Sequence, residues 1–207
     1  MAAPIDFYFD FSSPYGYLAS TRIDELAARH GREVVWRPFL LGAVFKQTGT
    51  GPLVDVPIKG DYARHDMPRA ARRLGVPFVL PEPFPFLALA PSRAYWWAFD
   101  RDRAEARRLA RALYEAAFAE GRSLADPETV ADVAAGLGFD RDALTAALAD
   151  PEVKARLKAE TDTAIDRGVF GSPFVIVDGE PFWGHDRLDD VAWWLAGAKE
   201  GEARDVA

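Results

Sequence analysis

The chain has 207 residues, 49% of them hydrophobic and 28% charged, and it contains no cysteine. A chain of this length buries roughly 70% of the surface that its unfolded form exposes, so its core needs no covalent staples. The 25 basic and 32 acidic residues give a net charge of −7, which makes nucleic acid an unfavourable partner. The absence of cysteine excludes disulfides, thiolate metal centres and thiol chemistry carried by the protein itself.

The start of the chain lacks the features of a secretion signal. It has no basic segment, and Asp6 and Asp10 interrupt the apolar stretch that such a signal needs. No window approaches the roughly 18 uninterrupted apolar residues of a membrane-spanning helix. We therefore expect a soluble, cytoplasmic protein that does not bind a membrane.

The first 40 residues carry a β–α–β pattern. Side chains alternate over 5–11, with Ile5, Phe7, Phe9 and Phe11 on one face and polar groups on the other, which predicts a strand. Ser13-Pro14 is typical of an N-cap and a first helical residue, and the helix is predicted to run from about 14 to 29. A second strand is predicted over 33–40, where Pro38 favours a sheet edge. A helix between two strands implies a right-handed crossover and a parallel pair.

The middle of the chain is predicted to be helical. Turns around one short helix occupy 41–57, and a helix over 61–74 is predicted to be interrupted at Pro68. A proline-rich loop over 77–91 precedes a long helix over 92–120, and three more helices follow at about 128–136, 140–149 and 151–167. The arginines between 101 and 111 are assigned to a solvated helix face, and Trp96-Trp97 to the core.

Two strands and a helix are predicted near the C-terminal end. The segments 174–177 and 180–183 flank Asp178-Gly179, which is a favoured two-residue hairpin turn. A closing amphipathic helix follows, with Asp186 as its N-cap and Trp193-Trp194 assigned to the core. The three histidines lack metal-ligand spacing, so no metal is expected.

Four segments point to a family. They are Phe9-Asp10-Phe11-Ser12-Ser13-Pro14-Tyr15-Gly16-Tyr17-Leu18, Pro38-Phe39-Leu40-Leu41-Gly42, Val169-Phe170-Gly171-Ser172-Pro173 and Phe182-Trp183-Gly184-His185-Asp186-Arg187-Leu188. In this order they resemble the 2-hydroxychromene-2-carboxylate isomerase and kappa-class glutathione transferase family, over essentially the whole chain. The resemblance implies an α/β, DsbA-like fold, in which a thioredoxin-like domain (1–57 and 168–207) carries a large all-helical insertion (58–167).

Ser13 is the candidate catalytic residue. Cysteine-using relatives begin their first helix with a thiol, whereas this chain offers only a hydroxyl and backbone N–H groups, which suit an external thiolate. Ser13 matches the family serine that hydrogen-bonds the sulfur of glutathione. Helix capping is the alternative role, and the two roles are compatible.

The resemblance also implies the glutathione-binding residues. Pro173 is expected to be cis, and the Ser172 main chain to pair with the cysteinyl part of the tripeptide. Lys59 matches a lysine near the glycyl carboxylate, and Asp186 matches an aspartate at the γ-glutamyl ammonium. His185 is expected to contribute its main chain only. Thr50 stands where the family has a glutathione-contacting asparagine, and it has fewer hydrogen-bonding groups than an amide.

An aromatic pocket for the substrate is expected beside these residues. Leu87 replaces a second family asparagine, which hints at a more apolar pocket. The candidate walls are Tyr17, Phe39, Phe45, Phe84, Phe86 and Trp183, and core packing is the alternative for each.

The activity implied by the resemblance is glutathione-dependent isomerisation of 2-hydroxychromene-2-carboxylate, or of a related intermediate of aromatic catabolism, to trans-o-hydroxybenzylidenepyruvate. The thiolate adds reversibly to the substrate in such a reaction. Two alternatives stay open: a kappa-class transferase that conjugates glutathione to electrophiles, and a non-catalytic thioredoxin-like module that binds peptides. The family also implies a homodimer.

Overall fold

A mixed four-stranded sheet is the centre of the fold. The computed structural model describes residues 3–197, with strands at Ile5–Phe9 (β1), Val34–Pro38 (β2), Phe174–Val177 (β3) and Glu180–Trp183 (β4). The strand order is β2-β1-β3-β4. The β1–β2 pair is parallel, whereas β1–β3 and β3–β4 are antiparallel. The predicted β–α–β and β–β–α units are therefore confirmed. Pro38 lies in β2, which is an edge strand of the sheet.

Helices make up most of the rest of residues 3–197. They are Pro14–Ser20 (α1), Ile23–Arg29 (α2), Leu41–Thr48 (α3), Lys59–Leu74 (α4), Leu89–Phe99 (α5), Arg103–Phe118 (α6), Pro127–Gly136 (α7), Arg141–Ala149 (α8), Pro151–Asp166 (α9) and Leu188–Leu195 (α10). Short 3-10 turns lie at Leu53–Asp55 and His185–Arg187. Within these residues no helix is both long and apolar enough to cross a membrane.

Both faces of the sheet are covered, although the alternating pattern predicted one polar face. Phe7 and Phe9 pack into the large core, while Tyr8 packs on the opposite face with Phe39, Val44 and Ala164. Helices α3 and α9 supply Val44 and Ala164, so they cover that second face. This coverage buries Tyr8, which is 1% exposed.

The predicted helix over 14–29 is two helices. The side chains of Ser20 and Thr21 donate to backbone carbonyls three residues earlier, at 2.7 and 2.8 Å. Such side-chain bonds compete with the helical hydrogen-bond ladder, and the chain bends at Arg22 before α2 begins. Because α1 has only seven residues, its dipole is smaller than the sequence suggested.

Two further helix predictions were wrong. Helix α4 is continuous through Pro68, although Pro68 has no N–H to donate to the carbonyl of Arg64, which is an exposed residue. The predicted helix over 92–120 is divided into α5 and α6. Asp102 is the missed N-cap between them, accepting from the N–H groups of Ala104 and Glu105 at 2.7 and 3.1 Å.

Part of the predicted solvated arginine face makes tertiary contacts. Arg107 and Arg111 donate to Asp24 in α2, at 3.3 and 2.6 Å, and Arg107 also donates to the Val34 carbonyl at 2.8 Å. These bonds tie α6 to the strand β2 and the helix α2. The assignment of Trp193 to the core was also wrong, because it is 59% exposed on α10.

Candidate functional site

Ser13 lies where β1 gives way to α1. Its side chain is almost buried, with 6% of the residue exposed. The Oγ atom accepts from the Gly16 N–H at 3.0 Å as the N-cap of α1. The same hydroxyl donates to the carbonyl oxygen of Ser172 at 3.0 Å. Ser13 is therefore held by two hydrogen bonds, and only the one that it donates is available for exchange with a ligand.

The fold brings the segment 172–173 against Ser13 although it is distant in the chain. The Ser172–Pro173 peptide bond is cis, as the resemblance implied. The Ser172 Oγ accepts from the Asp10 N–H at 3.0 Å, and the Gly184 N–H donates to the Pro173 carbonyl at 3.0 Å. The Ser172 N–H has no acceptor among residues 3–197. An extended ligand backbone can pair with such a group as an added strand does.

Gly16 allows the close packing behind Ser13. A Cβ at this position would lie 2.4 Å from the Tyr114 hydroxyl oxygen, 3.0 Å from the Ser172 Oγ and 3.2 Å from the Ser13 Cβ. Tyr114 is fully buried and donates its hydroxyl to the Asp10 carbonyl at 3.0 Å. Burial raises the pKa of Tyr114 well above its ordinary value, so it stays a proton donor.

Asp10 is a buried carboxyl directly before the site, with 3% of the residue exposed. It accepts from the N–H and Oγ of Ser12 at 2.7 Å, and from the Leu41 N–H at 2.8 Å. Burial raises the pKa of Asp10, although these hydrogen bonds oppose it. Asp10 thus fixes the turn that precedes Ser13. Both of its carboxylate oxygens accept hydrogen bonds from Ser12 or Leu41.

A second polar cluster joins α1, α4 and the 3-10 turn at 185–187. The Tyr15 ring stacks on His185, with centroids 4.9 Å apart and planes at 17°, and its hydroxyl donates to Asp66 at 2.7 Å. Arg69 also donates to Asp66. Burial lowers the pKa of His185, against the charges of Asp186 and Asp66. The cluster fixes the 185–187 turn beside the start of α1.

The other predicted glutathione ligands lie at exposed positions. Lys59 is the first residue of α4, and its N–H donates to the Pro57 carbonyl at 2.8 Å across Ile58, whose φ of 69° is strained for a β-branched residue. The Thr50 hydroxyl lies 2.7 Å from that of Thr48.

Asp186 lies in the 3-10 turn and contacts Arg187 at 3.3 Å. The prediction that Asp186 caps the closing helix was wrong. Arg187 occupies the N-cap position and makes no side-chain capping bond, so the Asp186 carboxylate is not used there.

The predicted pocket walls differ in exposure. Phe39 is completely buried in the smaller cluster, so it has no surface to offer a ligand. Tyr17 is 3% exposed and donates to the Pro77 carbonyl at 3.0 Å, so it also belongs to the core. Phe45 and Phe84 are partly buried, and Trp183 is 56% exposed. Phe86, the sixth candidate, is 7% exposed.

An apolar groove of about 670 Å³ lies elsewhere, at the ends of α5, α7 and α8. Its walls include Phe86, Leu87, Leu148 and Pro83. Ser13 and the predicted glutathione ligands do not line it. We therefore locate the candidate site at Ser13, where several polar groups converge, and not at this groove.

Comparison with known proteins assigns the fold and the family. The chain matches the family model of the DSBA-like thioredoxin domain over residues 4–196. It is 34% identical to 2-hydroxychromene-2-carboxylate isomerase from Sphingobium xenophagum, covering 94% of this chain and 99% of the relative. The chain belongs to this DsbA-like family.

Two further matches agree with that assignment. Glutathione S-transferase kappa 2 from Caenorhabditis elegans is 31% identical, over 97% of this chain and 95% of the relative. A solved structure of 2-hydroxychromene-2-carboxylate isomerase superposes with a TM-score of 0.84 at 30% identity, covering 93% of this chain and 94% of that one. The predicted resemblance and the DsbA-like thioredoxin fold are thereby confirmed, and the homologues are enzymes.

Proposed function

We propose that this protein is a glutathione-dependent isomerase that acts on 2-hydroxychromene-2-carboxylate or on a closely related aromatic-catabolism intermediate. The main support for this proposal is the position of Ser13. Its hydroxyl lies at the start of α1 and contacts the carbonyl beside the cis-Pro173 bond at 3.0 Å, in a chain without any cysteine. Because the chain has no thiol of its own at this position, the Ser13 site suits the thiol group of a bound ligand. The names of the relatives supply the substrate class.

The chemistry of the other candidate residues fits a tripeptide that carries charges of both signs. Lys59 offers an ammonium for a carboxylate, and Asp186 offers a carboxylate for an ammonium. The Ser172 N–H, which has no acceptor within residues 3–197, suits the peptide backbone between those charges. Thr50 adds one hydroxyl in place of the amide that the family carries. We therefore keep Lys59, Thr50, Ser172, Pro173, His185 and Asp186 as the proposed glutathione site.

Bound glutathione would supply the thiolate that adds reversibly to the conjugated substrate. The chain would have to hold that sulfur ionised and in place. Ser13 can do this if its Oγ–H turns from the Ser172 carbonyl to the sulfur, while the Gly16 N–H keeps the oxygen fixed. A hydrogen bond to a charged group contributes about 1.5–3 kcal/mol, which is comparable to lowering a thiol pKa by one to two units.

The proposal is tested by following conversion of the chromene by its absorbance, with and without glutathione. We expect conversion to depend on glutathione and to fall about ten- to hundredfold in Ser13→Ala, because one charge-assisted hydrogen bond is lost. Ser12→Ala is the matched control. The Ser12 hydroxyl makes no bond to Ser13, and Asp10 keeps the Ser12 and Leu41 N–H donors when that hydroxyl is removed, so we expect this variant to keep most of the activity. Equal rates without glutathione, or an unaffected Ser13→Ala variant, would refute the proposal.

A second candidate function is glutathione conjugation, which the 31% match to a kappa-class transferase favours. The two functions differ in whether the adduct is released or reversed. Incubation with glutathione and a chlorodinitrobenzene-type electrophile separates them, because a transferase accumulates a stable conjugate. Tight peptide binding with no glutathione binding in calorimetry would instead support the non-catalytic module. For each of these functions we still expect the protein to be a homodimer in the cytoplasm.

A further inference from the structure

The groove at the ends of α5, α7 and α8, which Ser13 does not line, has the size of a ligand site. Its volume of about 670 Å³ falls within the roughly 300–1,000 Å³ of small-molecule sites. Three leucines, three prolines and three alanines line it, and two of them, Leu87 and Leu89, are exposed. Phe86 is the one aromatic residue among the described wall residues, and it is almost buried. The groove therefore offers aliphatic surface and little ring surface.

Two cationic side chains, Arg93 and Lys154, line the same groove, and none of its described wall residues is acidic. Within residues 3–197 neither cation forms an ion pair. Asp126 and Asp150 adjoin wall residues in the chain, but they accept backbone N–H groups as the N-caps of α7 and α9. In a chain of net charge −7, this groove thus combines an apolar wall with local positive charge, which is complementary to an anion with an apolar body.

Arg93 has one edge of its guanidinium that the protein does not use. Its Nη1 donates to the Leu148 carbonyl at 3.1 Å and so holds the group in the groove. Its Nε is buried without an acceptor, and within residues 3–197 its Nη2 makes no hydrogen bond either, although Nη2 is not buried. Burial lowers the pKa of Arg93, and no carboxylate offsets that effect. Because Nε and Nη2 form the edge on which a guanidinium holds a carboxylate, the open Nη2 is the place where a ligand carboxylate can bind.

We propose that this groove is a second ligand site, which binds an aliphatic monocarboxylate such as a medium-chain fatty acid. The carboxylate accepts from Arg93, and the chain lies along Leu87 and Leu89. Lys154, which is exposed in the first turn of α9, adds a second positive charge. The inference does not depend on the isomerase proposal, because Ser13 and the proposed glutathione residues do not line the groove.

The test is a calorimetric titration of the whole protein with two probes that share a ten-carbon chain. Decanoate, used below its micellar concentration, carries a negative charge, whereas decyltrimethylammonium carries a positive one. We expect decanoate to bind at one site and the cation to bind about tenfold more weakly or less. Non-specific attraction to a chain of net charge −7 would favour the cation instead. We also expect decanoate to bind equally well in the presence of glutathione.

Three variants assign the site to its cations. Arg93→Gln removes the charge and keeps a donor for the Leu148 carbonyl, and we expect decanoate binding to weaken about tenfold or more. Lys154→Gln changes an exposed charge, so the expected loss is about two- to fivefold. Arg101→Gln is the matched control. Arg101 also donates to a backbone carbonyl, that of Trp97 at 2.7 Å, but it does not line the groove, so we expect no change.

Methyl resonances of Leu87 and Leu89 in NMR show where decanoate binds, and they decide the test together with Lys154→Gln if Arg93→Gln does not fold. Equal binding of the two probes, shifts confined to other methyl groups, or unchanged affinity in both Arg93→Gln and Lys154→Gln would overturn the proposal. Displacement of decanoate by glutathione would show that the groove is part of the Ser13 site. A groove that binds no decanoate, in a dimer that Leu87→Asp dissociates in sedimentation, would be a contact between copies and would also overturn it.

Discussion

Single residues around Ser13 determine how closely its neighbours approach. Gly16 lets the Tyr114 hydroxyl and the Ser172 side chain lie against the first turn of α1. Tyr114 in turn holds the Asp10 carbonyl, and Asp10 holds Ser172 through its N–H. The position of the serine hydroxyl is therefore defined by side chains from β1, α6 and the segment before β3, and a change of one methyl group should disturb it.

Replacing Gly16 by alanine tests this packing. The new Cβ would approach Tyr114 and Ser172 within 3.0 Å, so we expect the free energy of unfolding to fall by about 1–3 kcal/mol. Urea denaturation measures the change. Gly136→Ala is the control, since nothing lies within 4 Å of a Cβ there, and helix propensity predicts an unchanged or slightly higher stability. Equal stabilities of the two variants would contradict the packing described.

The residues that could be predicted were those with a local signal. Ser13 precedes a helix-initiating proline, and Ser172-Pro173 stands in a recognisable segment, so the sequence was enough to propose both as parts of one candidate site, and the structure places them in contact. Asp10 and Phe39 could not be placed correctly. Their burial comes from α3 and α9, which fold over the second face of the sheet, and an alternating strand pattern does not contain that information.

At the scale of secondary-structure elements, ion pairs and caps connect the helices to the sheet. Asp24 in α2 accepts from Trp36 Nε1 at 3.2 Å, as well as from Arg107 and Arg111 in α6. It is therefore the point where α2, β2 and α6 meet, and its side chain is only 16% exposed. This contact could not be predicted from the sequence, because arginines at helical spacing normally lie in solvent.

Asp24→Ala should lower the free energy of unfolding by about 2–3 kcal/mol, because three donors lose a shared and partly buried acceptor. Asp189→Ala is a matched control. Asp189 also lies in the first turn of its helix, but it pairs with Arg22 at 75% exposure, so the expected loss is below about 1 kcal/mol. Thermal or urea unfolding distinguishes them, and equal losses would show that Asp24 does not join these elements.

The β3–β4 hairpin provides a pH-dependent test. Asp178 has a φ of 53° in its turn and forms a bidentate ion pair with Arg32, with N–O distances of 2.7 and 3.0 Å. The Arg32 guanidinium lowers the pKa of Asp178, so the pair stabilises the fold above about pH 4 and this contribution is lost as pH falls through the lowered pKa.

Asp178→Asn keeps a side chain that tolerates positive φ and removes the charge. We expect a stability loss of about 0.2–1 kcal/mol at pH 7, which shrinks to zero in strong acid. The difference in unfolding free energy between the two proteins, measured across pH, checks this. A difference that does not change with pH would mean that the charge of Asp178 does not contribute.

At the scale of the whole molecule, one hydrophobic core runs from the sheet into the helical block. Phe9 in β1, Tyr95 in α5 and Tyr114 in α6 pack together, with centroid distances of 6.2 and 5.4 Å from Phe9. The Tyr95 hydroxyl donates to the Trp36 carbonyl at 2.7 Å. The resemblance of four segments was sufficient to predict the fold, but the sequence does not show that the central helices and the sheet share a core.

We therefore expect the proposed helical insertion, 58–167, and the remaining residues to unfold together. Far-ultraviolet circular dichroism reports mainly on the helices, and the assigned indole N–H resonance of Trp36 in NMR reports on the sheet, since this residue is 1% exposed in β2. The two signals should give the same urea midpoint. Two separate transitions would mean that the shared core does not couple the parts.

The central claim is that this chain binds an external thiol and holds it ionised at Ser13. The most direct measurement is the ultraviolet thiolate absorbance of bound glutathione, titrated with pH in the wild-type protein and in Ser13→Ala. We predict a thiol pKa lowered by about one to two units in the wild type, and a value close to that of free glutathione in the variant. Identical titrations of the two complexes, or no thiolate signal below the pKa of free glutathione, would contradict the claim.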